Sequence, residues 1–255
     1  MDVIAVIAQK GGTGKTTLTL ALAVAAQLAG KVTAIVDLDP QATASNWSDR
    51  REAESPVVVS AQPARLPHVL TSAEASGAAL VLIDTPPRAE QAALAAAKAA
   101  HLILIPCRPA IYDLETMATT LELVQFAGDK PVIAILNGVP PRGSKKDQAE
   151  DVIRQLGLRV CPAAFGWRTA FSDAGALGLT AQEYDPGSKS AIETEEVYRF
   201  VSKLINSPTN KGVKNNGTEG RRFAQRYAGE RESRSPAAQG RRGNRNAGRA
   251  ATDVS

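Results

Sequence analysis

One stretch of nine residues, Gln9-Lys10-Gly11-Gly12-Thr13-Gly14-Lys15-Thr16-Thr17, constrains this chain more than any other. It follows an apolar run over residues 3–8 and opens an Ala- and Leu-rich segment over residues 18–28. Strand, glycine-rich turn, helix is the context that a phosphate-binding P-loop requires. Glycines at 11, 12 and 14 let the backbone curl until successive N–H groups point inward at phosphate oxygens. The following helix adds its positive N-terminal end to the same place. Lys15 is then expected to reach the β- and γ-phosphates of a nucleotide, with the Thr16 hydroxyl as a ligand for Mg²⁺.

Two further acidic strand ends stand downstream. A short β-branched run over 32–36 leads into Asp37-Leu38-Asp39-Pro40-Gln41, and a carboxylate there is placed to act on Mg²⁺ or on a water. Read alone, Asp39-Pro40 is equally a turn and helix N-cap. Leu80-Val81-Leu82-Ile83-Asp84 is a Walker B pattern, a buried strand delivering Asp84 to the metal, followed by Thr85-Pro86-Pro87. Between and beyond them, strands are expected over 57–60, 102–106, 131–137 and 158–162. Helices are expected over 42–52, 66–76 (interrupted early by Pro67), 89–99 and 111–126, from a polar loop at 143–146 through 156, and over 192–205. Leu114, Met117, Leu121 and Val124 form the core stripe of one helix; Ile192, Val197, Val201 and Leu204 are expected to face inward from the last. This alternation predicts an α/β, doubly wound, mainly parallel sheet with helices on both faces.

The nine-residue loop departs from the plain GxxxxGK[ST] pattern. Gly12 does not complete it in the usual spacing, and Lys10 is a second lysine at its start. Taken alone, Lys10 is a solvated lysine beside a turn. With its neighbours it resembles the deviant Walker A motif, KGGxGKT[TS], of the ParA/MinD superfamily. Asp37–Gln41 resembles the DxDPQ element of that family, and the Thr-Pro-Pro ending after Asp84 its γ-phosphate-sensing loop. The stretch from Ser172 through Tyr184-Asp185-Pro186-Gly187-Ser188-Lys189 resembles its C-terminal loops, with Gly175 and Thr180 in place of the usual prolines and Ser190 in place of a glycine. The resemblance spans residues 1–205.

It implies an ATPase using ATP and Mg²⁺, with residues Lys10, Gly11, Gly12, Thr13, Gly14, Lys15, Thr16 and Thr17 around the nucleotide. Thr16, Asp39 and Asp84 would serve the metal, and Lys10, Lys15 and Asp39 the chemistry, Asp39 by orienting or activating the attacking water. Asn137 would recognise adenine; read alone, it is a turn-forming residue before Gly138. Lys10 would reach across an ATP-bound homodimer to the partner's phosphates. Within that family the small ParA-type partition ATPases, without an N-terminal helix-turn-helix domain, are most similar. They imply non-specific DNA binding, here assigned to Arg168, Arg199 and Lys203, and slow hydrolysis stimulated by a ParB-type centromere-binding protein. An accessory ATPase for conjugative transfer or for positioning another cargo would share every motif.

Bulk properties narrow the setting. No run approaches the ~18 apolar residues of a membrane helix, and the first strand starts too early for a signal peptide. Cys107 and Cys161 are too few and too unpatterned for a disulfide framework or a zinc site, and they are poor support for the paired cluster ligands of a nitrogenase-like iron protein. These features suit the reducing cytoplasm; association with the nucleoid is what the resemblance implies. Residues 1–206 hold 19 basic against 22 acidic side chains, whereas 207–255 hold 11 against 4. The chain therefore divides into an ATPase domain, 1–206, and a basic tail, 207–255. The tail has too few apolar residues to offset its ordering entropy and is expected to be disordered. It also has too few apolar residues for the short amphipathic C-terminal helix that a MinD-like membrane ATPase would need. Its pairs Arg221-Arg222 and Arg241-Arg242 suit loose phosphate contact, or simple solubilisation.

Overall fold

The computed structural model describes residues 1–128 and 130–207; the basic tail lies outside the described residues from position 208 onward. The first half of the chain runs β1 (Asp2–Val6), α1 (Lys15–Leu28), β2 (Thr33–Asp37), α2 (Thr43–Asp49), β3 (Val57–Ser60), a 3₁₀ turn (Pro63–Arg65), α3 (Leu66–Ala75) and β4 (Leu80–Asp84). It continues α4 (Glu90–Ala99), β5 (Leu102–Cys107), α5 (Ile111–Gln125), β6 (Val132–Leu136), α6 (Lys145–Gln155), β7 (Arg159–Val160), α7 (Ala170–Ala176), α8 (Ala181–Tyr184) and α9 (Lys189–Ile205). The strands form one sheet in the order β3-β2-β4-β1-β5-β6-β7. Each pairing is parallel. The expected doubly wound sheet is the fold found.

The central strands are apolar on both faces because both are covered. Alternate residues serve opposite layers. Val3, Ala5 and Ile7 join Val81, Ile83, Ile103 and Ile105 under α3 to α6. Ile4 and Val6 join Leu80, Leu82, Leu102 and Leu104 under α1, α2 and α9. Each large side chain so buried contributes roughly 1.5–3 kcal/mol. α1 lies deepest: ten of its fourteen residues are buried, four of them alanines, which lets it lie close to the sheet and to α9.

Three expectations are corrected. Ile192 is 53% exposed rather than inward. α9 begins earlier, where Ser188 Oγ accepts from Ala191 N at 3.1 Å, and its buried line is Ser190, Ala191, Thr194, Val197, Tyr198, Val201 and Leu204. At 100° per residue Ile192 falls off that line. Pro67 does not interrupt α3; it occupies the first turn, where its missing N–H would have had no helical partner. β7 is only two residues long because a short edge strand needs only the pairs Ile133–Arg159 and Ala134–Val160.

Candidate nucleotide site

The sheet order brings the chemical residues together. At the C-terminal edge the strands β2, β4, β1, β5 and β6 lie side by side. They deliver in turn Asp37 and Asp39, Asp84, the loop from Gln9 to Thr17, Arg108 and Asn137. Ligands of doubly wound sheets bind in such a crevice, outside the carboxyl ends of the strands.

The loop is anchored at its base. Gln9 N donates to Thr120 Oγ1 at 3.3 Å, and Gln9 O accepts from Arg88 N at 3.1 Å. Gly12 and Gly14 take φ of +72° and +92°, a region that L side chains rarely enter. At Gly14 there is also no room. A Cβ there would lie 1.8 Å from Asn137 Nδ2, because that amide donates to Thr13 O at 2.8 Å. Asn137 thus ties the end of β6 to the loop while also lining the cavity.

Lys15 opens α1 and is buried, its Nζ donating to Lys10 O at 3.2 Å. Burial lowers its pKa, opposed by the charges of Asp84 and Asp39. Thr16 Oγ1 donates to Asp84 Oδ2 at 2.6 Å, and Thr19 Oγ1 lies 3.4 Å from Asp84 Oδ1. Asp84 is fully buried, and its carboxyl is pushed up to about 7, first by burial and further by Asp37 and Asp39. Asp37 organises the next loop, accepting from Asp39 N, Ala44 N and Ser45 N at 3.0, 3.1 and 3.1 Å. Asp39 is left half-buried on the cavity wall.

These residues fit a Mg²⁺–nucleotide. A buried carboxyl with a raised pKa gains from a cation beside it, and Thr16 offers a hydroxyl oxygen next to that carboxyl. No cluster of three or more His, Cys, Asp or Glu stands among the described residues. Mg²⁺ binds through one or two carboxylates together with substrate phosphates. Thr16, Asp84 and Asp39 would hold the ion, which would supply charge neutralisation at the phosphates.

The cavity measures about 480 Å³. Of the residues expected at the nucleotide, Gly11, Gly12, Gly14, Lys15, Thr16, Thr17, Asp39 and Asn137 line it. Thr13 is buried, with its hydroxyl directed at Lys10 O (3.5 Å). Lys10 stands apart. Its ammonium is ion-paired with the buried carboxylate of Asp113 and lies 5.9 Å from the Tyr112 ring centroid.

The far wall was not legible as a site. Val139 N donates to Phe165 O at 3.0 Å and Trp167 N to Val139 O at 2.8 Å, which lays segment 165–167 beside the end of β6. Trp167, Arg168 and Phe171 thereby reach the cavity, as does Arg108. The only sequence signal for Arg108 was its position just after a strand. Of the three residues assigned to DNA, Arg168 lies on this wall, ion-paired with Glu193. Arg199 and Lys203 lie one turn apart on the exposed side of α9, Arg199 paired with Glu195.

Residues 4–181 match the CobQ/CobB/MinD/ParA nucleotide binding domain. The chain belongs to this family. It is an ATPase of the P-loop class. It is 33% identical over 206 residues to maintenance of carboxysome distribution protein A from Gloeobacter kilaueensis, covering 80% of this chain and 93% of that one. It is 28% identical over 239 residues to the chromosome-partitioning ATPase Soj from Thermus thermophilus, covering 79% and 94%. The fold matches the septum site-determining protein MinD of Pyrococcus horikoshii, solved with Mg-ADP, at a TM-score of 0.67 and 23% identity, covering 80% of this chain and 97% of that one. No helix among the described residues is long and apolar enough to cross a membrane.

Proposed function

We propose that this ATPase is a nucleotide-switched positioning protein of the ParA type. ATP brings two copies together, the pair binds DNA without sequence preference, and a partner protein stimulates hydrolysis and releases it. The observation that carries this reading is the contrast between the two loop lysines. Lys15 is buried in its own cavity, while Lys10 is held outside that cavity on Asp113 and Tyr112. A lysine so placed serves a phosphate its own chain does not hold.

DNA contact is assigned to Arg199 and Lys203 on α9, with Arg168 at the mouth of the cavity and the basic tail as a second surface. Charge stabilisation at the phosphates stays incomplete until the partner arrives, so hydrolysis alone is slow. The cargo is a replicon carried by a ParB-type centromere-binding protein, and the work is done in the cytoplasm on the nucleoid. The relative named for carboxysome distribution favours a second reading, in which the same switch positions a protein cargo.

Gel shifts on full-length protein with ADP, ATP and a slowly hydrolysed ATP analogue, at two salt concentrations, test the switch. Binding that needs ATP and weakens steeply with salt is expected. Equal binding in every nucleotide state would assign DNA to the tail alone, and no binding would leave the protein-cargo reading. Truncation after Ile205 separates the tail from α9. Asp39→Ala should bind ATP and dimerise yet fail to turn over; full activity in that variant would remove Asp39 from the chemistry.

A further inference from the structure

Strand β5 supplies a cation that the loop motif does not contain. Arg108 directly follows Cys107, the last residue of β5. β5 pairs with β1 on the side away from β4. The loop between Gln9 and Thr17 is therefore flanked unequally: the acids of β4 and β2 lie on one side, Arg108 on the other.

Arg108 reaches the loop. Its Nη2 stands 3.7 Å from where a Cβ on Gly12 would lie, and its Cγ stands 3.8 Å from the same position on Gly138. The guanidinium carbon is 5.9 Å from the centroid of the Trp167 ring, on the same cavity wall. Arg108 is exposed and, among the described residues, has no carboxylate partner. Lys10, Arg51 and Arg168, by contrast, are each ion-paired. An uncompensated guanidinium beside a glycine-rich anion cradle is placed for phosphate, whose oxygens match its planar fork.

We propose that Arg108 is a nucleotide-binding residue. It contacts the polyphosphate from the flank opposite Asp84, supplied by the same chain that holds the nucleotide. The inference rests on the nucleotide reading of the cavity and adds to it a residue outside the family's loop and acidic motifs. It also distinguishes ligands by the number of phosphates, because the guanidinium meets the loop at Gly12 rather than a base at Asn137.

Calorimetric titration of full-length wild type, Arg108→Gln and Arg108→Lys with Mg²⁺ and ATP, ADP or AMP tests this. Arg108→Gln is expected to weaken ATP by about tenfold or more, as loss of a charged hydrogen bond does. AMP should be nearly unaffected, and Arg108→Lys should recover part of the ATP loss. Because Arg108 is exposed, the nucleotide-free melting temperature should stay unchanged. Unchanged ATP affinity in Arg108→Gln would overturn the proposal. Equal weakening of ATP and AMP would also overturn it, leaving Arg108 as a support for Trp167. If wild type itself bound no ATP, the nucleotide reading would fall first, a result distinct from either.

Discussion

Thr16 Oγ1 donates a 2.6 Å hydrogen bond to Asp84 Oδ2, joining the first turn of α1 to the end of β4. That contact sits at the bottom of the nucleotide site, with Asp84 removed from water and its carboxyl raised from 3.8 to about 7. The folded state then binds more protons than the unfolded chain between those two values. Stability contributed by Asp84 accordingly falls as pH rises through that window, and the penalty is fully present above about 7. One pKa unit corresponds to about 1.4 kcal/mol, so the effect is on the order of 4 kcal/mol at most. Asp84→Asn should melt higher than wild type at pH 8 without Mg²⁺ or nucleotide, and the gap should close toward pH 4. A gap that does not change with pH would show that Asp84 does not titrate in this way.

Lys15 is the cation enclosed by the loop, and burial works against its charge until a phosphate compensates it. Lys15→Ala should lose ATP turnover by ~10²-fold or more, the scale of losing a fixed charge contact at a reacting group. Fluorescent ATP-analogue binding should fall with it. Turnover at the wild-type rate would exclude the cavity as the hydrolytic site.

The parts of this structure that could be read in the sequence are those set by local pattern. β4 and the loop before α1 carry their own signals, and the stripe Leu114, Met117, Leu121 and Val124 is buried as its spacing predicts. What could not be read depends on a partner distant in sequence. Ile192 is apolar and near the right register, yet the cap at Ser188 and the sheet above choose Ser190, Ala191 and Thr194 instead. Trp167 and Arg108 belong to one wall only because segment 165–167 lies beside Val139. Lys10 bears the motif's signature, but Asp113, 103 residues away, decides where its ammonium rests.

Gly178 offers a stability test remote from the chemistry. It takes φ of +70°, and a Cβ there would lie 2.6 Å from the Arg50 carbonyl carbon. This is where α2 meets the segment before α8. Trp47 Nε1 donates to Leu179 O at 3.0 Å, and Arg51 Nη1 to Gly178 O at 3.0 Å, with the Arg51 guanidinium paired to Glu183. Gly178→Ala should cost roughly 1–3 kcal/mol in backbone strain, which for a domain of this size lowers Tm by roughly 2–10 °C. An unchanged Tm would mean that α2 can move away from the segment without loss.

The Lys10–Asp113 pair makes a prediction about assembly. Asp113 is buried at the start of α5, while the Lys10 side chain is 35% exposed. In the proposed dimer Lys10 would have to exchange one anion, Asp113, for another, a phosphate on the second copy. Lys10→Ala should still bind ATP, since Lys15 and the loop N–H groups remain, but should stay monomeric in ATP by light scattering. Asp113→Asn keeps the shape and removes the charge that competes with phosphate, so this variant should dimerise at lower ATP concentration than wild type. Dimerisation of Lys10→Ala at the wild-type ATP concentration would remove Lys10 from the interface. An Asp113→Asn variant that needs more ATP than wild type would instead make Asp113 a support for the associated state.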